Sequence, residues 1–182
     1  MPYPTLPHTL STPCTRLARP APAIAEQLQQ ALVDSYALHA PFLAWAKPDW
    51  TLEEVRESLQ LSASEFLEPA AEKRFFVLQP NNDAVIGCIG LRPGNDEYEV
   101  GYWVSQAFSG QGLMREALTS LPDAIDTPVW LTTDIDNHAS QRLAERAGFQ
   151  RAGSLLTELD PSTPRPLYRR LPVKARAEGH VV

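Results

Sequence analysis

The segment 97–121 constrains the fold most, because a strand pattern passes into a helix pattern there across a short loop with two glycines. Apolar residues alternate on one face of the predicted strand: Tyr98, Val100, Tyr102 and Val104. The other face carries Glu97, Glu99, Gly101 and Trp103. The loop consists of Ser109, Gly110, Gln111 and Gly112. A strand that leads through such a loop into a helix favours a sheet with helices packed on it.

The rest of the chain also alternates between the two patterns. Strands are predicted at 15–19, 74–79, 84–91, 97–104, 129–133, from 149 onward and at 167–171. Helices are predicted at 23–38, from 51 onward, after the glycine loop and at 137–147. This order implies a mixed α/β sheet with helices on both faces, in one domain over residues 13–172. Residues 1–12 are predicted to form a flexible arm, and residues 173–182 a loose tail.

Composition narrows the function classes. The chain has 182 residues and a formal net charge of −6, so we expect no nucleic-acid partner, which would require phosphate-neutralising charge. No apolar run approaches the roughly 20 residues of a membrane span, and no secretory signal pattern is visible. Two cysteines cannot form a disulfide framework. We therefore expect a cytoplasmic protein without a membrane partner.

The loop at 109–112 has two open interpretations. Small residues let a ligand approach the backbone, and the first N–H groups of the next helix suit a phosphate. The same residues also suit a plain turn of the chain. Two known phosphate loops are excluded: no Gly-Lys-Ser/Thr is present, and a dinucleotide loop starting at Gly110 would need its third glycine at Arg115.

The segment 134–149 is the second informative stretch. Asn137 is a favourable N-cap residue for the predicted helix, and Ser140 can bond within the first turn of that helix. Metal-binding atoms are present on Asp134, Asp136 and His138, but these residues lie on one short connection without a second cluster of ligands. We therefore predict no metal site.

Together the two stretches resemble the GCN5-related N-acetyltransferase (GNAT) superfamily. Its diphosphate-binding motif is Arg/Gln-x-x-Gly-x-Gly/Ala, in which Gly112 matches the central glycine. Ser109 and Met114 replace the usual residues at two other positions of that motif. The pattern Asn137-x-x-Ser140 also agrees with the superfamily.

Two further segments are similar to the RimJ/RimL-type branch, whose members acetylate N-terminal amines of ribosomal proteins. Residues 99–104 read Glu-Val-Gly-Tyr-Trp-Val, and residues 114–118 read Met-Arg-Glu-Ala-Leu. The resemblance extends over about residues 15–171.

The resemblance implies the acyl-CoA N-acyltransferase fold, a mixed and mostly antiparallel sheet with a V-shaped gap between its fourth and fifth strands. In this family acetyl-CoA binds in the gap, and its pantetheine arm pairs with the fourth strand. The residues thereby implied in binding acetyl-CoA are Trp103, Val104, Ser109, Gly110, Gln111, Gly112, Leu113, Met114 and Asn137. No catalytic metal is implied.

The implied reaction is direct attack of a primary amine on the thioester. A base must remove a proton from the amine, and Glu99 matches the family position for that base, with Glu97 as the reserve. Many family members donate a proton to the leaving thiolate from a helix tyrosine, but Ala144 stands at that position here. Ser140 is expected to assist instead, by donating a hydrogen bond.

The predicted acceptor is a protein N-terminal α-amine. Two alternatives stay open: transfer to a small amine (polyamine, amino acid or aminoglycoside), and a non-catalytic acyl-CoA-binding module. Residues 49–72 contain seven acidic residues and one basic residue, which would attract a cationic amine but also fit a solvated helix face. A homodimer is compatible with the resemblance, since dimers are common in the family.

Overall fold

The computed structural model describes residues 6–157 and 161–173. The strands among them form one sheet of eight. The strands are β1 (Thr9–Ser11), β2 (Arg16–Ala18), β3 (Lys73–Leu78), β4 (Val85–Pro93), β5 (Tyr98–Val104), β6 (Val129–Thr132), β7 (Gln150–Leu155) and β8 (Arg165–Arg170). The helices are α1 (Ala25–Asp34), α2 (Tyr36–His39), α3 (Leu52–Glu65), α4 (Leu113–Ile125) and α5 (His138–Arg146). The strand order is β1-β2-β3-β4-β5-β6-β8-β7.

The predicted fold class is confirmed. Only β5 and β6 run parallel among the strand pairs of the described residues; the other pairs are antiparallel. One face of the sheet packs against α4 and α5, and the other against α1 and α3. Among the described residues, none of the helices could span a membrane.

The N-terminal segment differs from its prediction. Thr9–Ser11 pairs with β2 as an additional edge strand, with Leu10 opposite Leu17, whereas the sequence predicted an arm over 1–12. Leu10 packs against the core. A strand of three residues is too short for its alternation of apolar and polar residues to be recognised in the sequence. The predicted fourth and fifth strands are consequently β5 and β6. Residues 1–5 of the predicted arm and 174–182 of the predicted tail lie outside the described residues.

The helix predicted at 23–38 is divided. After a short 3-10 turn it continues as α1 and α2, which meet at the buried Ser35. The Ser35 hydroxyl accepts a hydrogen bond of 2.9 Å from the backbone N–H of Gln106. The break in the helix thus ties α2 to the segment that follows β5.

The strands β5 and β6 separate after two residue pairs. Tyr98 lies opposite Val129 and Glu99 opposite Trp130, after which β6 continues to pair with β8 alone. This separation confirms the predicted V-shaped gap between the two strands. Within the described part of the chain, no strand fills the open side of β5 beyond Glu99.

Two backbone hydrogen bonds define which groups of β5 face the gap. The N–H of Tyr98 donates to the Pro128 carbonyl on the β6 side, and the N–H of Ser105 donates to the Ile86 carbonyl on the β4 side. Main-chain groups of successive residues point to alternate sides of a strand. The N–H and C=O groups of Tyr102 and Val104 therefore point into the gap.

Candidate active site

A cavity of about 520 Å³ occupies the gap between the separated strands. Its walls come from α2, the end of β5, the glycine loop, α4 and α5. The structure brings together these predicted residues on its lining: Trp103, Val104, Ser109, Gly110, Gln111, Gly112, Met114, Asn137 and Ser140. Leu113 faces a shallower depression beside Cys14 instead. Two stretches that lie about 30 residues apart in the sequence thus form one site.

The glycine loop ends where α4 begins. Gly110 and Gly112 have φ angles of 78° and 80°, a left-handed conformation that favours glycine. The first hydrogen bond of the helix runs from the Glu116 N–H to the Gly112 carbonyl, so the N–H groups of Leu113 to Arg115 have no partner within α4. Such an N-terminus suits an anion.

Met114 stands where the family motif has a small residue, and the structure explains why this is tolerated. The side chain is buried at 3% exposure, and its Cε atom lies 2.6 Å from the place that a Cβ of Gly87 would occupy. Met114 therefore extends along β4 at Gly87. The loop above it stays open to a ligand.

Three arginines that were not predicted from the sequence also line the cavity. Arg115 lies in the first turn of α4, and Arg142 and Arg146 lie one turn apart on α5. None of the three guanidinium groups forms an ion pair with a residue in the described ranges. The spacing of four residues places Arg142 and Arg146 on one face of α5, a pattern that is visible in the sequence. Such a positive surface attracts anionic ligands.

His39 and Trp103 form the opposite wall, and Trp45 packs beside them. The ring centroid of His39 lies 5.4 Å from that of Trp103 and 5.9 Å from that of Trp45. The His39 Nε2 and the Val104 carbonyl oxygen are 2.8 Å apart, so Nε2 carries the proton that this carbonyl accepts. Burial lowers the pKa of His39, although the Val104 carbonyl acts in the opposite direction. Burial thus disfavours the charged form of this imidazole at the open edge of β5.

The first turn of α5 is fixed to β5. Asn137 caps the helix by accepting a hydrogen bond of 3.1 Å from the Ser140 N–H, as the sequence predicted for an N-cap. The Tyr102 hydroxyl lies 2.6 Å from the Ser140 Oγ. Burial raises the pKa of Tyr102 to about 12, against the effect of this hydrogen bond.

The two carboxylates predicted as bases do not line the cavity itself. Glu99 pairs with Arg92 at 3.0 Å, and Glu97 pairs with Arg169 at 3.4 Å. Glu99 and Trp103 share a face of β5, with only Gly101 between them on that face. A Cβ at Gly101 would meet no atom within 4 Å. Open space thus separates Glu99 from the aromatic wall of the cavity.

A sequence profile described as an acetyltransferase (GNAT) domain matches residues 16–150 of this chain. The chain belongs to the GNAT acetyltransferase family. The prediction of an acetyltransferase is thereby confirmed, and acetyl-CoA is the cosubstrate of this family. No curated protein matches the sequence significantly.

Solved GNAT structures share the fold at low sequence identity. The microcin C7 self-immunity acetyltransferase MccE, solved with acetyl-CoA and AMP, is 18% identical with a TM-score of 0.77, covering 88% of this chain and 93% of that one. RimL, a ribosomal L7/L12 α-N-protein acetyltransferase solved with coenzyme A, is 18% identical with a TM-score of 0.77, covering 92% and 97%. A Salmonella typhimurium acetyltransferase that modifies the N-terminal serine of L7/L12 is 19% identical with a TM-score of 0.74, covering 88% and 96%. This likeness shows the GNAT fold.

Proposed function

We propose that this GNAT domain transfers the acetyl group of acetyl-CoA to the N-terminal α-amine of a protein. The observation that carries the proposal is the continuity of the cavity. It begins at the glycine loop and the arginines, follows the open edge of β5, and ends among apolar side chains. Leu38 and Phe42 line that end and are each 38% exposed, and Trp45 beside them is 45% exposed.

The donor fits the cationic end and the open strand edge. Acetyl-CoA carries several phosphate charges, which suit the N-terminus of α4 and the guanidinium groups of Arg115, Arg142 and Arg146. Its pantetheine arm contains amide groups, which can pair with the N–H and C=O of Tyr102 and with the N–H of Val104 as a further strand would. We therefore place the phosphates at the loop and the thioester near Tyr102 and Ser140.

Glu99 is the proposed base. Its side chain is 32% exposed and borders the open space above Gly101, so an amine that enters there reaches the carboxylate directly or through water. The partner Arg92 is 63% exposed, and ion pairs of such exposure contribute little stability. Glu99 can therefore exchange Arg92 for the amine. Glu97 stays the reserve candidate, on the turn that precedes β5.

The residues then divide the work of the reaction. Glu99 takes a proton from the amine, which makes the nitrogen lone pair available for attack on the thioester carbonyl. The N–H groups on the open edge of β5 are available to the carbonyl oxygen as negative charge develops on it. Ser140 donates a hydrogen bond to the sulfur as the carbon–sulfur bond breaks.

The exposed apolar side chains at the entrance favour a peptide chain as the acceptor, because the residues that follow a protein's N-terminal amine can pack against them. RimL and the Salmonella relative, which modify a protein N-terminus, share this fold and support the same choice. A small cationic amine is the second candidate. It is favoured by Glu72, whose carboxylate pairs with Arg74 at 2.9 Å and lies above Gly90, the cross-strand partner of Gly101. A cytoplasmic location and a homodimer stay predictions from the sequence.

Thiol release from acetyl-CoA tests the proposed function. Purified protein is incubated with acetyl-CoA and a panel of peptides that carry a free N-terminal amine, with polyamines, amino acids and aminoglycosides as the second panel. We expect thiol release with free N-terminal peptides and none with the same peptides blocked by N-acetylation.

Three outcomes separate the alternatives. Turnover restricted to the small amines would replace the N-terminal acceptor by the second candidate. Binding of acetyl-CoA without turnover on any acceptor would identify a non-catalytic module. Neither acetyl-CoA nor coenzyme A raising the melting temperature would contradict the placement of the donor in this cavity.

A further inference from the structure

A side-chain hydrogen bond joins β5 to the first turn of α5 beside the gap. The Tyr102 hydroxyl lies 2.6 Å from the Ser140 Oγ and 3.1 Å from the Ser140 carbonyl oxygen. Both residues line the cavity, and Tyr102 packs against the core on the side of α4 and α5. The pair is therefore part of the wall along which the proposed donor lies.

The acidities of the two hydroxyl groups set the direction of the short hydrogen bond. A phenol is a stronger acid than an aliphatic alcohol, so it is the better donor of the two. Burial raises the pKa of Tyr102 to about 12, so the phenol keeps its proton at neutral pH. The same phenol proton faces the Ser140 carbonyl oxygen at 3.1 Å, so Tyr102 donates a bifurcated hydrogen bond to the Ser140 Oγ and to that carbonyl. The proton of Ser140 then stays available for a third atom.

Ser140 is held from two sides. Its backbone N–H donates to the Asn137 side chain, which fixes the main chain, and Tyr102 fixes the side-chain oxygen. Ala144, one turn further along α5, is fully buried and has no group that can donate. Ser140 is thus the hydroxyl that α5 offers to a ligand in the cavity.

We infer that Tyr102 is a positioning residue for departure of the thiolate, because its hydroxyl orients the Ser140 O–H toward the sulfur of acetyl-CoA. The inference rests on the proposed function. It adds a group from strand β5 that compensates for the tyrosine missing from helix α5. From the sequence, Tyr102 was predicted only to lie on the apolar face of its strand.

The step balances without further reactants. The amine nitrogen bonds to the carbonyl carbon, and the carbon–sulfur bond breaks with its electron pair passing to sulfur. Ser140 stabilises the thiolate by a hydrogen bond and keeps its own proton, since a thiol has a pKa of about 8.5, far below that of an alcohol. The ammonium nitrogen loses two protons in all: Glu99 takes one before the attack, passes it to water, and then takes the second from the adduct. Coenzyme A takes one proton from water on release, so one proton is released overall.

The test compares Tyr102→Phe, Ser140→Ala and the double variant by steady-state thiol release with a peptide acceptor. We expect kcat to fall about a hundredfold in each single variant, the lower end of the loss caused by removing one preorganised donor. The double variant should lose no more than Ser140→Ala alone, because the two residues act as a unit. The KM for acetyl-CoA should stay within about twofold, since the contact matters only as charge develops on sulfur.

Two controls keep the result interpretable. Tyr168→Phe removes another buried phenol, which does not line the cavity and whose hydroxyl lies 3.4 Å from a Glu145 carboxylate oxygen, and should leave kcat unchanged. Tyr102→Leu is a second variant without the hydroxyl and should show the same loss as Tyr102→Phe. A retained rise in melting temperature with coenzyme A shows that each variant folds and binds.

The inference is overturned if Tyr102→Phe keeps kcat within about twofold of the unmodified protein, or if the losses multiply in the double variant. If the unmodified protein and the Tyr102→Phe variant are equally active, this inference is refuted and the proposed function stands. Unmodified protein without turnover on any acceptor refutes the proposed function, and this inference with it.

Discussion

The two edges of β5 differ along the same seven residues. Toward β4 the strand is paired from Tyr98 to Val104, whereas toward β6 it is paired only at its first two residues. The closed edge stabilises the sheet, and the open edge presents main-chain groups that a ligand can pair with. The proposed binding site therefore lies where β5 and β6 separate within the sheet.

Charged residues follow the same division. Beside the closed edge, Arg92 and Arg74 pair with glutamates at 3.0 Å and 2.9 Å. Around the open edge, Arg115, Arg142 and Arg146 form no ion pair with the described residues. The arginines with an ion pair thus lie beside the paired edge, whereas the arginines without one lie at the proposed phosphate site.

The largest effect is expected at Glu99, the last residue of β5 that pairs with β6. Glu99→Gln keeps the shape of the side chain but removes the proposed base, so kcat should fall about a hundredfold or more. Glu97→Gln is the matched control and should change kcat by less than about threefold. A reversed order of the two variants would transfer the role to Glu97, and full activity of both would remove the carboxylate base from the account.

The next effect concerns the unbalanced charge. Arg142→Ala and Arg146→Ala should each raise the Kd for acetyl-CoA about tenfold, the equivalent of about 1.4 kcal/mol for a charged contact with phosphate. Arg169→Ala removes an arginine that is already paired with Glu97 and should leave the Kd unchanged. Titration calorimetry measures all three variants. Equal Kd values for the three would contradict the assignment of the phosphate end.

Part of this arrangement was readable from the sequence. The strand 97–104, the loop at 109–112 and the Asn137-x-x-Ser140 pattern are local signals, and the structure brings them to one cavity as the resemblance implied. Residues on both sides of a strand alternate visibly, so β5 was predicted within one residue of its observed limits.

The rest depends on contacts between distant segments. Tyr102 and Ser140 lie 38 residues apart, and His39 and Val104 lie 65 apart, so no local pattern reveals either hydrogen bond. The separation of β5 from β6 depends on the pairing of β6 with β8, another long-range feature. The sequence named Glu99 by its motif position, but its ion pair with Arg92 required the cross-strand register.

A smaller effect is expected at the glycine loop. Gly112→Ala places a side chain in a left-handed conformation and beside the proposed phosphate position, so the Kd for acetyl-CoA should rise about fivefold. Gly153→Ala imposes a similar constraint, at a φ of 114°, away from the cavity in β7. It should lower stability by about 1 kcal/mol without changing the Kd. Equal Kd values for the two variants would show that backbone strain alone accounts for the effect.

The smallest effect concerns the pH dependence of folding. Because burial lowers the pKa of His39 in the folded state, the unfolded chain binds the proton more readily. Stability should hold above about pH 6.5 and decline below it, with a slope of at most about 1.4 kcal/mol per pH unit from this one proton. The decline should stop once His39 is protonated in the folded state too.

Denaturant unfolding between pH 5 and 8 measures this contribution. His39→Gln removes the titrating group while keeping an N–H that can donate to the Val104 carbonyl, so the variant should lose this part of the slope. An unchanged slope in His39→Gln would assign the acid sensitivity to other groups.

Residue-resolved amide hydrogen exchange with and without acetyl-CoA measures whether the donor pairs with the open edge of β5. If acetyl-CoA pairs with the open edge of β5, exchange at the N–H groups of Tyr102 and Val104 slows about tenfold or more when the donor is saturating. Exchange at Gly101 and Trp103, whose N–H groups face β4, changes little because that edge is already paired. Unchanged exchange at Tyr102 and Val104 with acetyl-CoA bound would contradict the account.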